Sequence, residues 1–315
     1  MEKVLVIIPN NNKGRYIAKG YSDAFRAMSY FVIEKKIYNL NVDEIKNINP
    51  NIVFIFWSDM DRNADIVSFL NECELKSTIY INLAESLCDI PHEVKDADNV
   101  LLFSSDNKKK KFRVLPAVMP ESYKRKFNGY KHTITFCGNP SYTEREKLLS
   151  KIIYNFGIIN VFCRSYDFYK SVDDIYKNKF LSDKYIDLYR ESYRGYIENQ
   201  KELSYIYSHS KINIDLPSKN EKSINYRCLE ILASGGFLLA PHNKTLVKYL
   251  DDGQEIETFK SSDDLIDKIR FYIKNTNLAL LITAKGKRNI VSNHSFHDRL
   301  KIILKVLNDK NISNR

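Results

Sequence analysis

Short continuous runs of apolar residues alternate along the chain with longer amphipathic segments. Such a run is typical of a strand buried on both faces, as in a parallel sheet. In the first part of the chain these runs predict strands at residues 4–9, 30–33, 51–57, 78–83 and 100–104. Apolar residues spaced three and four apart predict helices at residues 15–29 and 64–73. This order of elements predicts a parallel sheet with helices on both faces.

The same alternation starts again near residue 132. It predicts strands at residues 133–137, 160–163, 211–216 and 237–240. It also predicts helices at residues 143–156, 202–210, 224–234, 263–274, 278–289 and 296–307. Residues 164–195 are polar and rich in tyrosine, and they follow neither period. The second cycle therefore predicts a second parallel α/β unit.

Two such units predict an α/β chain of two Rossmann-like, doubly wound domains that face a cleft. We place the N-terminal domain at residues 1–128 and the C-terminal domain at residues 129–295. The boundary lies within residues 120–131, because this stretch is polar and carries Gly129. Ligands of such sheets bind beyond the carboxyl ends of the strands, so each domain would hold one substrate.

Charge adds one general expectation to this picture. The 315 residues include 49 Lys and Arg against 39 Asp and Glu, which gives a net charge of +10. A basic chain favours contact with an anionic partner, such as a nucleotide, a lipid headgroup, an acidic glycan or nucleic acid. The charge does not choose among these partners.

The five cysteines are odd in number and form no C-x-x-C pair, which is typical of reduced, buried thiols. His294 and His297 lie three apart without a further ligand at metal-binding spacing, so we expect no structural metal. No stretch approaches the roughly 20 apolar residues that span a bilayer, and the first apolar run is too short for a signal peptide. We therefore expect a soluble, cytoplasmic protein.

The segment at residues 223–240 combines a short predicted helix with side chains suited to a nucleotide. Arg227 and Glu230 lie three apart on one face, and Gly235 is placed to end the helix in the left-handed conformation. The N-terminus of a helix and an arginine in its first turn suit a phosphate, and a carboxylate one turn on suits two ribose hydroxyls. Spacing alone favours a simpler interpretation, in which the two charges form a surface ion pair.

Six sequence blocks, one of which lies in this segment, form a family pattern. The chain resembles the donor domain of the CgeB/YkvP-like glycosyltransferases, which are related to the GT4-type (glycosyl transferases group 1) enzymes of the GT-B fold. The resemblance covers residues 135–315. Its blocks are T-F-C-G-N at 135–139, I-Y-S-H-S-K-I-N-I at 206–214, N-Y-R-C-L-E-I-L-A-S-G-G-F-L-L at 225–239, D-G-Q-E-I at 252–256, S-S-D-D-L-I-D-K-I-R-F-Y-I at 261–273 and N-H-S-F-H-D-R at 293–299.

The resemblance implies a metal-independent glycosyltransferase. Such an enzyme moves a sugar from a nucleoside-diphosphate sugar, with a UDP-sugar expected first, to an acceptor, and it needs no cofactor beyond this co-substrate. It also implies a GT-B arrangement, in which the C-terminal helix, residues 296–315, packs back on the first domain. The acceptor would bind to that first domain, and it is a glycan, a lipid, a protein or a modified DNA base.

The family pattern also assigns roles by position. Arg227 would contact the donor diphosphate, Glu230 would hold the ribose hydroxyls, and the turn at Gly138 and Asn139 would direct backbone N–H groups to the phosphates. Further donor-site positions are Asn225, Tyr226 and Lys222.

One of these positions departs from the family pattern. GT4-type enzymes often carry a glutamate eight positions before the ribose-binding one, and this chain has Lys222 there, next to Glu221. The sugar and the stereochemical outcome therefore stay open.

Further polar positions follow the strands of the first domain. Asp59, Asp61 and Glu85 are candidate catalytic bases, with ordinary loop carboxylates as the alternative. A second set lies in the loop after the first strand, which would meet donor or acceptor: Asn11, Asn12, Lys13 and Gly14. The lysine run at 108–111 and the tyrosines within 166–196 are either solvated surface and packing, or contacts for an anionic acceptor.

Other classes of protein remain open at this point. A non-catalytic GT-B protein that binds a nucleotide-sugar would share the same donor residues. A nucleotide-sugar epimerase of the same fold is a poorer match, because the sequence follows the transferase pattern. The basic charge and the tyrosines are also compatible with a nucleic-acid-binding or DNA-base-glycosylating protein. The acceptor and the oligomeric state are not predicted.

Overall fold

The computed structural model of the chain describes residues 1–10, 12–57, 72–75, 78–84, 100–104, 112–123, 127–216 and 224–313. The chain divides into two compact units. The first unit comprises Met1–Ala117 with His294–Arg315, and the second comprises Val118–Asn293.

The first unit contains a six-stranded sheet in the order β2-β1-β3-β4-β5-β6, in which every neighbouring pair is parallel. The strands are β1 Lys3–Ile8, β2 Phe31–Lys36, β3 Ile52–Trp57, β4 Ile79–Ala84, β5 Val100–Ser104 and β6 Phe112–Arg113. Helices α1 (Asn12–Ala27) and α2 (Val42–Ile48) follow β1 and β2. The apolar run of β1 is buried because this strand lies between two neighbours, with Leu5 beside Ile33 and Val53.

A C-terminal helix at Phe296–Ser313 completes the first unit. Phe296 packs against α1 so closely that a Cβ atom on Gly20 would lie 2.2 Å from its ring. The same ring contacts the rings of Tyr16 and Tyr21 edge to face. This contact fixes the start of the helix on α1.

The second unit contains a five-stranded sheet in the order β11-β10-β9-β7-β8, again with parallel pairs throughout. Its strands are β7 His132–Cys137, β8 Asn160–Phe162, β9 Ser210–Ile214, β10 Leu238–Pro241 and β11 Glu257–Phe259. Its helices are α3 Thr143–Phe156, α4 Ser165–Lys177, α5 Asp183–Arg190, α6 Gln200–Ser208, α7 Tyr226–Ser234, α8 Leu246–Tyr249, α9 Ser262–Lys274 and α10 Thr276–Asn293.

The predicted fold class is confirmed, since both units contain a parallel sheet. Helices α1 and α2 lie between β1, β2 and β3 of the first sheet, and helices lie between all successive strands of the second. The position of the boundary differs from the predicted one after residue 128. Residues 118–131 lie in the second unit, where Gln200 donates to the Tyr123 hydroxyl and Asn128 bonds to the His209 ring. The polar composition of residues 120–131 and Gly129 indicated a junction between domains. They did not indicate to which of the two units these residues belong.

The tyrosine-rich segment at residues 164–195 was not assigned from sequence, and it contains the helices α4 and α5. In α4 the buried positions include Phe168, Val172 and Ile175, which have ordinary helical spacing. Tyr166 and Tyr169 are aromatic but exposed, so they hide that spacing in the sequence. The short elements α2, α8 and β11 were also missed.

Two further predictions concern a helix of the first unit and the absence of a membrane span. Most of the helix predicted at residues 64–73 lies outside the described residues. Among the helices that the structure describes, none is both long enough and apolar enough to span a membrane.

Candidate functional site

The site residues of the second unit gather where two neighbouring strands end. Strands β7 and β9 pair directly, with Thr135 beside Asn213. The turn at Gly138 follows β7, and Asp215 follows β9. Helix α7 then begins after its N-cap residue, Asn225, and brings two charged side chains to the same edge of the sheet. This is the edge at which parallel α/β sheets bind ligands.

The ends of α7 follow the sequence prediction closely. Asn225 caps the helix, because its side-chain oxygen accepts the backbone N–H of Cys228 at 3.0 Å. Gly235 ends the helix in the left-handed conformation, with φ of 79°, as its position in the sequence indicated. Tyr226 is the first helical residue and is half-buried.

Arg227 forms an ion pair with Asp215, a partner that the i, i+3 spacing did not indicate. Its Nη1 donates to Asp215 Oδ1 at 2.5 Å. The guanidinium carbon also lies 5.6 Å from the centre of the buried Phe136 ring, in cation–π geometry. The Arg227 side chain keeps 19% of its surface exposed, so the guanidinium is held in place but still reaches solvent.

Gly138 makes room for this guanidinium. A Cβ atom at this position would lie 2.6 Å from Arg227 Nη2, and the backbone φ of +148° is one that side chains other than glycine rarely adopt. The backbone N–H of Gly138 was expected to face phosphates, but it donates to the carbonyl of Phe162 at 3.0 Å. The N–H of Gly138 is therefore already paired beside β8, and a contact of the turn at Gly138 and Asn139 with phosphates stays a prediction.

The side chain of Asn139 holds the same turn in shape. Its Oδ1 accepts the N–H of Ser141 at 2.8 Å, and its Nδ2 donates to Asp167 at 3.1 Å in the first turn of α4. Asn139 therefore joins the loop after β7 to the start of α4. These contacts describe a structural contribution, and a direct contact with a donor stays a prediction.

Asp215 is the main residue that sequence reasoning missed. It is 4% exposed and accepts three donors: Arg227 Nη1, Asn225 Nδ2 at 2.8 Å and Cys228 Sγ at 3.4 Å. Its sequence signal is a single carboxylate placed directly after a buried strand, at the ligand-binding edge of the sheet.

Glu230 lies one turn after Arg227 and faces the beginning of α6. Its Oε1 accepts Gln200 Nε2 at 3.4 Å, and the same nitrogen donates to the Tyr123 hydroxyl at 2.6 Å. Glu230 is half-buried, and one of its carboxylate oxygens accepts this hydrogen bond from Gln200. Gln200 and Tyr123 were not predicted, since they are 30 or more residues away in the chain.

Two neutral groups lie near these charges. Burial raises the pKa of the Cys137 thiol to about 12, and this outweighs the opposing effect of the Arg227 charge. Burial likewise raises the pKa of the Tyr207 hydroxyl well above its usual value. Both groups are therefore uncharged at neutral pH, and the formal charges near Phe136 come from arginine and carboxylate side chains.

A second guanidinium lies on the same aromatic ring. Arg145 of α3 is 4% exposed, and its guanidinium carbon lies 5.8 Å from the centre of the Phe136 ring. Its Nε donates to the carbonyl of Leu216 at 3.0 Å, and its Nη1 donates to the carbonyl of Asn139 at 2.8 Å. Arg145 therefore links Asn139, which follows β7, to Leu216, which follows β9.

The remaining predicted residues lie in the first unit or outside the described residues. Asn12, Lys13 and Gly14 were predicted in a loop, but they form the first turn of α1, where Gly14 is buried. The side chains of Asn12 and Lys13 are not described. The same holds for the whole of Asn11, Asp59, Asp61, Glu85 and Lys222, and for the lysine run at 108–111. Among the residues that are described, no group of three or more His, Cys, Asp and Glu side chains is arranged to hold a metal ion.

The sequence of this site matches a known family over much of the second unit. Residues 160–305 match the model of a family described as glycosyl transferase-like. The matched segment includes Asp215, Arg227 and Glu230. A protein of Aquifex aeolicus (strain VF5), itself described as uncharacterized, is 29% identical over 135 residues. That match covers 42% of this chain and 34% of the Aquifex protein, so the chain spans about a third of its length.

Solved structures show the same fold over nearly the whole chain. A glycosyltransferase from Rickettsia africae is 12% identical with a TM-score of 0.66, and the match covers 97% of each chain. HepE of Anabaena, solved in complex with UDP and glucose, is 10% identical with a TM-score of 0.67, covering 98% of this chain and 100% of HepE. The chain therefore has the GT-B fold of glycosyltransferases and carries a glycosyl transferase-like segment at residues 160–305.

Proposed function

We propose that this chain transfers a sugar from a nucleoside-diphosphate sugar to an acceptor, and that it is a CgeB/YkvP-like member of the GT-B glycosyltransferases. The observation that carries the proposal is the position of Arg227. It is held by Asp215 over the Gly138 turn, at the ligand-binding edge of β7 and β9. This position lies within the glycosyl transferase-like match.

Arg227 is the group that contacts the donor diphosphate in this proposal. A guanidinium has five N–H donors in a planar fork, which suits the paired oxygens of a phosphate. When the sugar bond breaks, negative charge develops on the diphosphate leaving group. A fixed positive charge that is already oriented stabilises this leaving group, which is how the reaction proceeds without a metal ion in this proposal.

Glu230 holds the ribose in this proposal. Its carboxylate lies one helical turn beyond Arg227, a distance of roughly 5 Å along the helix axis, which is comparable to the step from diphosphate to ribose. Gln200 donates to one oxygen of the carboxylate, and a carboxylate is the acceptor that suits two adjacent ribose hydroxyls. Three further residues are proposed to contact the donor: Asn225, Tyr226 and Lys222.

The donor nucleotide is a UDP-sugar in our first proposal. HepE, which shares the fold, has been solved in complex with UDP-glucose. The acceptor would bind to the first unit, near the segment after β1 that contains Asn11, Asn12, Lys13 and Gly14. Asp59, Asp61 and Glu85 remain the proposed bases for the acceptor hydroxyl. The acceptor itself is proposed only as a class: a glycan, lipid, protein or modified DNA base.

A calorimetric titration tests the donor site. A thermal-shift screen with UDP-, GDP-, ADP- and dTDP-sugars first selects the nucleotide, because a ligand of the folded state raises the melting temperature. We expect Arg227→Ala to weaken binding of that nucleotide on the order of 100-fold, and Glu230→Ala about tenfold. Arg270→Ala is the matched control, since Arg270 is exposed and pairs with Asp267. Unchanged affinity in both site variants would refute the assignment.

Turnover separates an enzyme from a protein that only binds the nucleotide-sugar. The replacement of the usual glutamate by Lys222 is the observation that favours the second candidate. Release of free nucleotide from a labelled donor, in the presence of acceptor mixtures, supports transfer. Binding without any release of nucleotide supports the non-catalytic function. Loss of activity in EDTA with recovery in manganese would contradict the metal-independent mechanism.

A further inference from the structure

A buried carboxylate lies next to the proposed diphosphate contact. Asp215 is 4% exposed and receives donors from Arg227, Asn225 and Cys228. Burial of a charge is costly unless the charge is paired and hydrogen-bonded, so this carboxylate needs a reason to be there.

Capping of α7 does not supply that reason. The side-chain oxygen of Asn225 already accepts the N–H of Cys228 at the start of the helix. Asp215 instead accepts a hydrogen bond from the side-chain amide nitrogen of Asn225, so it supports the capping residue and does not cap the helix itself. A neutral side chain with the same shape could accept that bond, whereas the ion pair with Arg227 requires a negative charge.

The position of Arg227 depends on contacts from three directions. Asp215 holds Nη1 at 2.5 Å, the Phe136 ring lies 5.6 Å from the guanidinium carbon, and Gly138 leaves space at Nη2. An arginine side chain has several freely rotating bonds, and their freedom is otherwise lost when a ligand binds. A guanidinium that is oriented in advance binds an anion at a lower entropic cost.

We propose that Asp215 is a positioning residue, whose carboxylate fixes the Arg227 guanidinium in the orientation that meets the donor diphosphate. The inference rests on the proposed function, because it assumes that Arg227 contacts the diphosphate. It adds a residue to which no role has been assigned.

The sign of the effect distinguishes positioning from simple electrostatics. Asp215→Asn removes one negative charge near the proposed anion site. Charge alone predicts tighter binding of an anion after this substitution. Positioning predicts weaker binding, because Arg227 loses the partner that orients it. The two explanations therefore predict opposite changes from the same variant.

The binding experiment uses UDP as the probe and calorimetry as the readout. We expect Asp215→Asn to weaken UDP binding about tenfold, and to have no further effect in an Arg227→Ala background, since interacting residues are non-additive. Glu257→Gln is the matched control, because Glu257 is also a buried carboxylate paired with a cation, Lys268, elsewhere in the unit. The control should lower stability without changing UDP affinity.

A second readout does not depend on any nucleotide. In protein labelled with [¹⁵N]arginine, the Arg227 side-chain resonance is identified by its loss in Arg227→Lys. We expect Asp215→Asn to shift this resonance and to speed the rotation of the guanidinium. If wild-type protein binds no UDP, the proposed donor fails, and the resonance still decides whether Asp215 orients Arg227.

Three outcomes would overturn the inference. These are equal or tighter UDP binding in Asp215→Asn, a full tenfold loss that persists in the Arg227→Ala background, and an unchanged Arg227 resonance. If Asp215→Asn does not fold, Asp215→Glu replaces it, since this variant keeps the charge but moves it by one methylene. Weaker UDP binding in Asp215→Glu supports positioning, and unchanged binding refutes it.

Discussion

Two arginines lie on the same phenylalanine ring, and their partners differ. The guanidinium carbons of Arg145 and Arg227 lie 5.8 Å and 5.6 Å from the centre of the Phe136 ring. Arg145 donates to the backbone carbonyls of Asn139 and Leu216, whereas Arg227 donates to the carboxylate of Asp215. The ring alone therefore does not decide what either arginine does.

The difference in partners separates a structural arginine from one suited to a ligand. The carbonyls of Asn139 and Leu216 belong to the main chain, so Arg145 serves to hold the ends of β7 and β9 together and is buried in doing so. The partner of Arg227 is a side chain, and part of the Arg227 surface remains exposed. A charge that is oriented but still accessible is what recognition of an anionic ligand requires.

The largest effect is expected when the structural arginine is replaced. Arg145→Met should lower the free energy of unfolding by about 3 kcal/mol, because two backbone carbonyls lose their charged donor. At temperatures where the variant is folded, it should bind nucleotide within about threefold of wild type, since local contacts still orient Arg227. Urea denaturation and calorimetry on the same samples measure both quantities.

The matched variant is Arg227→Met, which introduces the same side chain at the second arginine beside Phe136. It should lose nucleotide affinity on the order of 100-fold. If Arg145→Met weakened nucleotide binding as strongly as Arg227→Met, the proposed division between the two arginines would be wrong.

A smaller effect is expected at the turn under Arg227. Gly138→Ala adds a Cβ atom at a position 2.6 Å from Nη2 and imposes a side chain on a backbone with φ of +148°. We expect nucleotide affinity to fall about tenfold because the guanidinium must move. Calorimetry on the folded variant measures this change.

Gly157→Ala is the control for backbone strain. Gly157 also has a positive φ, of 74°, but a Cβ atom there would have nothing within 4 Å. It should cost on the order of 1 kcal/mol of stability and leave binding unchanged. Equal losses of affinity in the two variants would show that strain, rather than contact with Arg227, explains the Gly138 result.

The local features of this site could be predicted from sequence, and its long-range contacts could not. The start of α7 near Asn225 and its end at Gly235 follow from turn and cap chemistry over a few residues. The roles proposed for Arg227 and Glu230 came from a family resemblance rather than from spacing. Spacing alone favoured a surface ion pair between them.

The missed contacts depend on the order of strands in the sheet. Arg145 meets Leu216 across 71 residues, and this contact exists because β7 and β9 are neighbours. The amphipathic pattern of α3 carries no information on which strand will lie beside it. Asp215 was missed for a related reason. A single carboxylate after a strand gains its meaning only from helix α7, whose N-cap residue Asn225 lies ten residues further along the chain.

A third arginine, in the first unit, extends the comparison. Arg299 is buried, and its Nε donates to the carbonyls of Leu115 and Pro116 at 3.2 Å, as Arg145 does with its own loops. Its Nη2 also donates to Nδ1 of the buried His294. That nitrogen must be unprotonated to accept, so the arginine favours a neutral histidine.

The last effect that we predict is gradual: a dependence of stability on pH at His294. Burial, together with the Arg299 charge, lowers the pKa of His294 to about 4, and Asp298 opposes this only in part. The native state therefore does not bind the proton that an unfolded histidine takes up below about pH 6.5. This contribution to stability is complete above pH 6.5 and is lost as the pH falls towards 4, by at most about 1.4 kcal/mol per pH unit.

His294→Gln removes this titrating group and isolates its contribution. Urea denaturation at pH 7, 6 and 5 should show a smaller loss of stability on acidification in the variant than in wild type. The comparison uses differences between pH values, so a constant cost of the substitution cancels. If both proteins lost stability equally between pH 6 and pH 5, His294 would not be the buried neutral acceptor of Arg299. The carbonyl bonds to Leu115 and Pro116 would then be what holds this arginine, as the bonds to Asn139 and Leu216 hold Arg145.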